Sequence, residues 1–232
     1  MLRPEVIVNC AASIDGKTAL PDGKPLSLST KSDFRRVHEL RNSCDAILVG
    51  VGTVIADDPS LRVKPEFVKA PRKVLRIVLD SKGMTPKGAR VLDGTIPTLV
   101  ATAKDGSRTE ALEDARTRGV DTVEMGEGRV DLKALLEELG RRGLRKVLVE
   151  GGGTVVWAFL DAGLVDHLMV FQRNIVVGGK GPSVAAGDGA SSEGTTVTMD
   201  LVGMENMEDG VLFHYVPRAG KHAREKGEGK GN

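Results

Sequence analysis

The chain has 232 residues, 40% of them hydrophobic and 28% charged, with a formal net charge of +1. That is the length of one large domain and the composition of a folded protein, which excludes general disorder, and no apolar run approaches the roughly 20 residues that span a bilayer. Setting aside residues 218–232, which hold five Lys/Arg against two Asp/Glu, the body carries 28 against 30, so it is not a nucleic-acid binder by charge.

Residues 5–10 (EVIVNC) open the chain as a strand, which leaves no room for a leader peptide and points to a cytoplasmic protein. Thr30 is placed to cap a helix over 31–41, with Asp33 at the third position of a capping-box-like start. Phe34, Val37, His38 and Arg41 fall at helical spacing along it, and His38 reads as a packing histidine. Residues 46–49 form a short buried strand, and Gly50-Val51-Gly52-Thr53 turns it into a short helix ending near Asp57. Strands follow over 72–79 and 98–101, then a helix over 109–118 and a strand over 120–124. Residues 132–142 form an amphipathic helix with Leu132, Leu135, Leu136 and Leu139 on one face. A strand over 146–149 runs into Glu150-Gly151-Gly152-Gly153, and a helix over 154–162 comes next. The pattern then changes to strands over 166–171, 196–203 and 211–216 with no convincing helix between them.

Strands alternating with helices predict an α/β domain with a mostly parallel sheet, and the final strands predict an antiparallel extension. The scarcity of aromatics predicts a core of Val, Leu, Ile and Ala, which suits strands buried on both faces. The reading is a single domain over 1–217 and a disordered, basic, Gly-rich tail over 218–232. Cys10 and Cys44 sit in apolar, strand-like contexts and read as buried thiols in a reducing compartment.

The strongest chemical signal is KVLVEGGGT at 146–154. A buried strand delivers three glycines to a helix start, where free N–H groups and the helix dipole favour an anion such as a pyrophosphate. A tight turn without a ligand is the alternative. GGGT is not the GxGxxG fingerprint, so a standard Rossmann domain is not supported. GVGTVIADDP at 50–59 repeats the arrangement more weakly, and two such turns on one sheet edge are more informative than either alone. In LDSKGMTP at 79–86, Ser81 and Lys82 suit a phosphate monoester, with a solvated turn as the alternative. Arg41, eight residues after Asp33, suits a sugar phosphate if its planar fork faces a cleft. No HExxH helix, GxSxG elbow, GxxxxGK[ST] loop or His/Cys metal set is present, so a cofactor reaction on phosphate-rich ligands is what remains.

NCAASIDGKTA (9–19), RVHELR (36–41), DAILVGVGTVIADDPSL (45–61), RIVLDSK (76–82), KVLVEGGGT (146–154), GLVDHL (163–168) and GGKGP (178–182) occur together and in order. As a set they resemble the reductase family of riboflavin biosynthesis, which includes the C-terminal half of the bifunctional RibD enzyme and stand-alone archaeal and fungal reductases. The resemblance spans 5–216. It implies a dihydrofolate-reductase-like fold: a central, mostly parallel sheet flanked by helices, with antiparallel C-terminal strands. It implies NADPH as cofactor, with Ala12, Thr53, Asp57, Ser81, Lys82 and Gly151, Gly152, Gly153 and Thr154 as contacts. On the substrate side it implies Asn9, Ser29, Asp33, Arg41, Leu61, Lys64 and Glu150. Lys64 stands where the family often has Arg, so bidentate phosphate geometry is not assured. The implied reaction is hydride transfer to ribose C1′ of a phosphorylated ribosylaminopyrimidine, with Asp33 and Glu150 as the carboxyl groups to test for proton delivery beside a bound water. The chain lacks the HxE…PCxxC set of a zinc deaminase domain, which points to the type that reduces the diamino compound before deamination. A deaminated substrate, dihydrofolate, and a non-catalytic nucleotide-binding module are the alternatives. No metal, nucleic acid or membrane is expected as a partner, and a homodimer is.

Overall fold

The computed structural model describes residues 3–218. Among the described residues nine strands form one sheet and five α-helices flank it. In chain order the elements are β1 (Glu5–Ser13), α1 (Lys31–Ser43), β2 (Ala46–Gly50), α2 (Val51–Asp57), β3 (Leu75–Leu79), β4 (Thr98–Thr102) and α3 (Glu110–Thr117). They continue with β5 (Asp121–Glu124), α4 (Leu132–Arg141), β6 (Lys146–Val149), α5 (Gly153–Asp161), β7 (His167–Arg173), β8 (Met199–Met207) and β9 (Gly210–Pro217). The strand order is β5-β4-β3-β2-β6-β1-β7-β9-β8. All pairings from β5 across to β7 are parallel, and β9 and β8 close the sheet antiparallel, as the change in pattern after residue 165 predicts.

The continuous apolar strands are explained by burial on both faces. Alternate residues Val6, Val8, Leu48, Ile77 and Val149 pack toward α4 and α5 with Leu135, Leu139, Val156 and Phe159. Their neighbours Ile47, Val49, Val78 and Val100 pack the other way, with Leu112 and Ala115 of α3. Ile7 and Leu148 meet Cys44 and Leu40 beneath α1. Phe159 and Phe171 are the only aromatic residues among the buried hydrophobics, so the core is aliphatic.

Two strands, β3 and β8, start three residues later than the sequence reading has them. β3 begins at Leu75, because Arg72 is used as a clamp: its N–H donates to Asn42 Oδ1 at 2.7 Å and its guanidinium reaches Asp45 at 3.0 Å. β8 begins at Met199, preceded by a turn over Glu193–Thr195 that Ser192 caps. The expected tail lies, beyond Arg218, outside the described residues; Arg218 donates to Asp200 on β8 at 2.6 Å.

The N-terminal ends of the strands are fastened by two aspartates. Asp166 accepts the Val6 N–H at 2.7 Å and both arms of Arg3. Asp45 accepts the N–H groups of Arg145 and Lys146 at 2.9 and 3.2 Å. Burial opposes ionisation of both carboxyls, yet their hydrogen bonds and arginine partners hold them below the usual carboxylate range. The opposite, C-terminal edge carries the glycine turns.

Candidate active site

A cavity of about 1160 Å³ opens along the C-terminal edge of the parallel strands. Open α/β sheets bind ligands at this edge, where strand order reverses; here β6 returns between β2 and β1. Of the residues expected from sequence, Thr53, Asp57, Ser81, Lys82, Glu150 and Gly151–Thr154 line it. Ala12 does not. It is 2% exposed, and the β1 residues that line the cavity are Cys10 and Ala11. Cys10, expected as a buried thiol, is half-buried and a cavity wall. Burial pushes its thiol up to about 12, so it is a poor nucleophile.

The two glycine turns are stitched together. Gly50 N–H donates to Gly151 O at 2.8 Å, and Glu150 N–H donates to Leu48 O at 2.9 Å. A Cβ on Gly50 would meet Val155 Cγ2 at 2.6 Å, so α2 and α5 start side by side only because that position is glycine. The three glycines of the second turn have three different reasons. Gly151 has φ +112° with open space where a Cβ would stand, so its requirement is conformational. The Gly151–Gly152 peptide is cis. Gly152 faces the Thr53 hydroxyl, 3.2 Å from where a Cβ would be. Gly153 is a packing glycine, since its Cβ would meet Ser183 O at 2.5 Å. The excess of glycine is therefore only partly a ligand signal. At the start of α5 the N–H groups of Gly153 and Thr154 have no partner among the described residues, which leaves them to an anion.

Glu150 joins this cavity to the residues expected on the substrate side. Its carboxylate takes a two-pronged bond from Arg41, Nε and Nη2 each at 2.7 Å. Arg41 also donates to Arg62 O at 3.1 Å, so two of its five N–H groups remain for a ligand. Asn9 and Asp33 are linked through Arg36, which shares the helix with Asp33, His38 and Arg41 but is not among the site residues expected from sequence. Arg36 donates to Asn9 Oδ1 and to Asp33 Oδ1, both at 2.8 Å. Thr30 caps α1 as expected, accepting Asp33 N–H, but the Asp33 carboxylate goes to Arg36 rather than back to the cap. Asp33 is fully buried and does not line the cavity, and its Oδ2 has no hydrogen-bond partner among the described residues. Ser29 is half-buried just before that cap. Leu61 is 2% exposed with φ +46°, a left-handed conformation that costs a branched side chain and leaves its backbone as the group able to meet a ligand.

Lys64 is exposed, and its backbone N–H donates to His38 Nδ1 at 3.2 Å. His38 stacks on Phe67 at 4.8 Å. Burial, then the nearby Arg41 and Lys64, lower the His38 pKa from 6.5 to about 4. His38 is thus a neutral packing histidine. Between pH 6.5 and 4 the unfolded chain binds a proton that the folded chain refuses, so this contribution is complete above pH 6.5 and is lost as pH falls through that window. His38→Gln is expected to flatten the pH dependence of the urea midpoint in that interval. A wild-type and variant difference that stays constant from pH 7 to 4 would contradict the assignment.

Two carboxylates that the sequence reading passed over shape the rim. Asp80, fully buried, accepts Met84 N–H, Thr85 N–H and the Thr85 hydroxyl within 2.8 Å and so folds the Ser81–Lys82 turn. An Asp at a strand end followed by turn residues is the signal that marks it. Asp15 of the SIDGK stretch accepts the Ser13 hydroxyl and the N–H groups of Val177 and Gly178, and these bonds bring its carboxyl down to about 2. That stretch is a fastener for the 177–183 loop. Among the described residues no group of His, Cys, Asp and Glu is arranged to hold a metal, and no helix is long and apolar enough to cross a membrane.

The model of the RibD C-terminal domain family matches residues 4–213. The 2,5-diamino-6-ribosylamino-4(3H)-pyrimidinone 5′-phosphate reductase of Archaeoglobus fulgidus is 40% identical over 195 residues, covering 81% of this chain and 88% of that protein. The protein of the same name from Methanothermobacter thermautotrophicus is 35% identical over 215 residues, covering 92% and 98%. Among solved structures, Acinetobacter baumannii RibD superposes with a TM-score of 0.78 at 26% identity, over 93% of this chain and 58% of that one.

Proposed function

The chain belongs to the RibD C-terminal domain family, and on that premise we propose that it is the oxidoreductase of riboflavin biosynthesis that uses NADPH to reduce 2,5-diamino-6-ribosylamino-4(3H)-pyrimidinone 5′-phosphate to its ribitylamino product. The observation that carries the reading is the meeting of two glycine turns beside Glu150 in one cavity large enough for a dinucleotide and a small substrate. The residues fit the cofactor: Gly151 keeps open the space a Cβ would fill, and the free N–H groups of Gly153 and Thr154 suit its pyrophosphate. When bound, NADPH supplies the hydride that reduces ribose C1′ in its ring-opened form.

The chain's own part is binding, orientation and charge. Thr53 and Gly151–Thr154 hold the dinucleotide, and Ser81 and Lys82 take its phosphorylated end. Glu150, fixed by Arg41, presents carboxylate oxygens to the substrate as acceptors. Arg36 takes Asn9 Oδ1 and so leaves the Asn9 amide as a donor toward the pyrimidine, with Asp33 behind it as the charge that holds Arg36 in place. The remaining N–H groups of Arg41, with Lys64, suit the substrate phosphate. With both carboxylates engaged by arginines, a water in the cavity is the proton carrier we favour for the opening ring oxygen, and Glu150 is the nearer carboxyl to test.

The test is NADPH oxidation with the diamino compound, its deaminated counterpart and dihydrofolate side by side. Consumption with the diamino compound alone supports the reading, and turnover of dihydrofolate or NADPH binding without oxidation overturns it. Asp33→Asn and Glu150→Gln are each expected to lower kcat by about tenfold to a thousandfold; unchanged turnover would remove them from the machinery. Leu201, Val202 and Met204 expose 53%, 55% and 64% of their surfaces on the edge strand β8, and we assign that edge to a homodimer in the cytoplasm. Sedimentation at micromolar concentration is expected to give twice the chain mass.

A further inference from the structure

SIDGK at 13–17 and GGKGP at 178–182 lie far apart in sequence and meet in the fold. The Asp15 carboxylate accepts the N–H groups of Val177 and Gly178 at 3.0 and 2.7 Å. Backbone bonds extend the join: Ile14 N–H donates to Ile175 O at 2.8 Å, Thr18 N–H to Pro182 O at 2.9 Å, and Val184 N–H to Gly16 O at 3.4 Å. Glycine is required at 181, because a Cβ there would meet Ala19 O at 2.8 Å.

Both partners of this join wall the cavity. The chain after β1 folds into a small hairpin closed by the Ala19–Pro25 bridge, and its Thr18, Ala19, Pro25 and Leu26 line the cavity beside Cys10 and Ala11. Pro182 and Val184 of the loop line it as well. The hairpin leads straight to the substrate side: Ser27 O accepts from Arg173, Leu28 is buried, and α1 follows with Asp33. Between Ser13 and Leu28 no residue is buried, so the segment has little packing of its own and its bonds to the loop decide where it stands. The far end of the loop leans on the other glycine turn. Ala186 N–H donates to Gly153 O at 3.0 Å, and a Cβ on Gly153 would stand 2.5 Å from Ser183 O. Residues 177–186 therefore touch both the start of α5, where an anion is expected, and the hairpin that walls the β1 end.

We propose that Asp15 is a positioning residue that couples the two ligands: by tying the 177–186 loop to the hairpin, it lets a dinucleotide seated on Gly153 fix the wall of the substrate pocket, so that substrate binds the cofactor-loaded protein more tightly than the free one. The assignment rests on the proposed cofactor reading and adds to it an order of binding. A phosphate held by the Gly153 and Thr154 N–H groups pins the start of α5, and Ser183 and Ala186 are pinned with it. Asp15 passes that restraint to the hairpin. Linkage makes the effect reciprocal, so substrate tightens the dinucleotide by the same factor.

The test is calorimetric titration of the whole chain with the diaminopyrimidine substrate, alone and with saturating NADP+, which has no hydride to give and so leaves the substrate intact. Wild type is expected to bind substrate about tenfold more tightly when NADP+ is present. In Asp15→Ala that ratio is expected to fall to within about twofold of unity, while NADP+ by itself binds within about threefold of wild type. Asp15→Asn keeps one acceptor oxygen for the loop and is expected to recover part of the ratio, which a general loss of structure would not predict. An unchanged ratio in Asp15→Ala would overturn the coupling, as would a variant that loses NADP+ and substrate equally. Wild type that binds both ligands with no mutual effect would overturn it too, while leaving the reductase reading standing. Wild type that does not bind NADP+ would overturn both.

Discussion

Arg41→Ala and Glu150→Ala are each expected to lower the free energy of unfolding by about 3 to 5 kcal/mol, because each strands the other's charge in a site that excludes most water. The side chains are 17% and 11% exposed and meet through two bonds of 2.7 Å. The double variant Arg41→Ala/Glu150→Ala is expected to cost well under the sum of the singles, since no unpaired charge remains. Urea unfolding of the four proteins makes the comparison. Additive losses would mean that the pair is solvated after all. Turnover is expected to be lost in all three variants, so stability and activity separate here: the double variant regains fold without regaining function.

The second large effect is expected at Gly153. In Gly153→Ala the new Cβ meets the Ser183 carbonyl at 2.5 Å and Ala186 Cβ at 3.1 Å. The first obstacle is backbone, so α5 or the 183–186 loop must move, and the N–H groups of Gly153 and Thr154 move with it. NADPH is expected to bind about tenfold more weakly or worse, with the substrate KM less affected. Gly88→Ala, which has nothing within 4 Å of its new Cβ, is the matched control and is expected to be neutral. Unaltered NADPH affinity in Gly153→Ala would show that the turn tolerates displacement and would weaken its assignment as the phosphate cradle.

The fold was legible because its signals are local. Apolar runs at strand length, the leucine face of residues 132–139 and the cap at Thr30 each speak for themselves, and the change to strands alone after residue 165 announces the antiparallel end. Strand starts were less legible. Arg72 and Lys73 continue an apolar run in sequence but sit outside β3, because Arg72 is spent on Asn42 and Asp45, which a local pattern cannot show. The site was legible where backbone makes it: the two glycine turns fall where their sequence puts them. It was less so where side chains from distant segments meet. Arg41 reads as a phosphate arginine in its own helix, and only the fold brings Glu150, 109 residues away, into its fork. Arg36 reads as one charge among several on its helix, because nothing local shows that it bridges Asn9 and Asp33. Ala12 lies just past the two β1 residues that line the cavity, Cys10 and Ala11, a difference of position that a strand pattern alone does not show.

The aspartates at the strand starts have a consequence for how this enzyme can change over generations. Asp45 and Asp166 hold β1, β2 and β6 in register from one rim of the sheet, while every group assigned to cofactor or substrate stands at the other rim or along α1. Loops at the working rim can therefore lengthen, shorten or be exchanged without loosening what aligns the strands. A lineage that trades one phosphorylated acceptor for another needs to rewrite only that rim. Grafting the 58–68 or 126–131 segment of a relative onto this chain is the laboratory version of that history, and the scaffold is built to survive it.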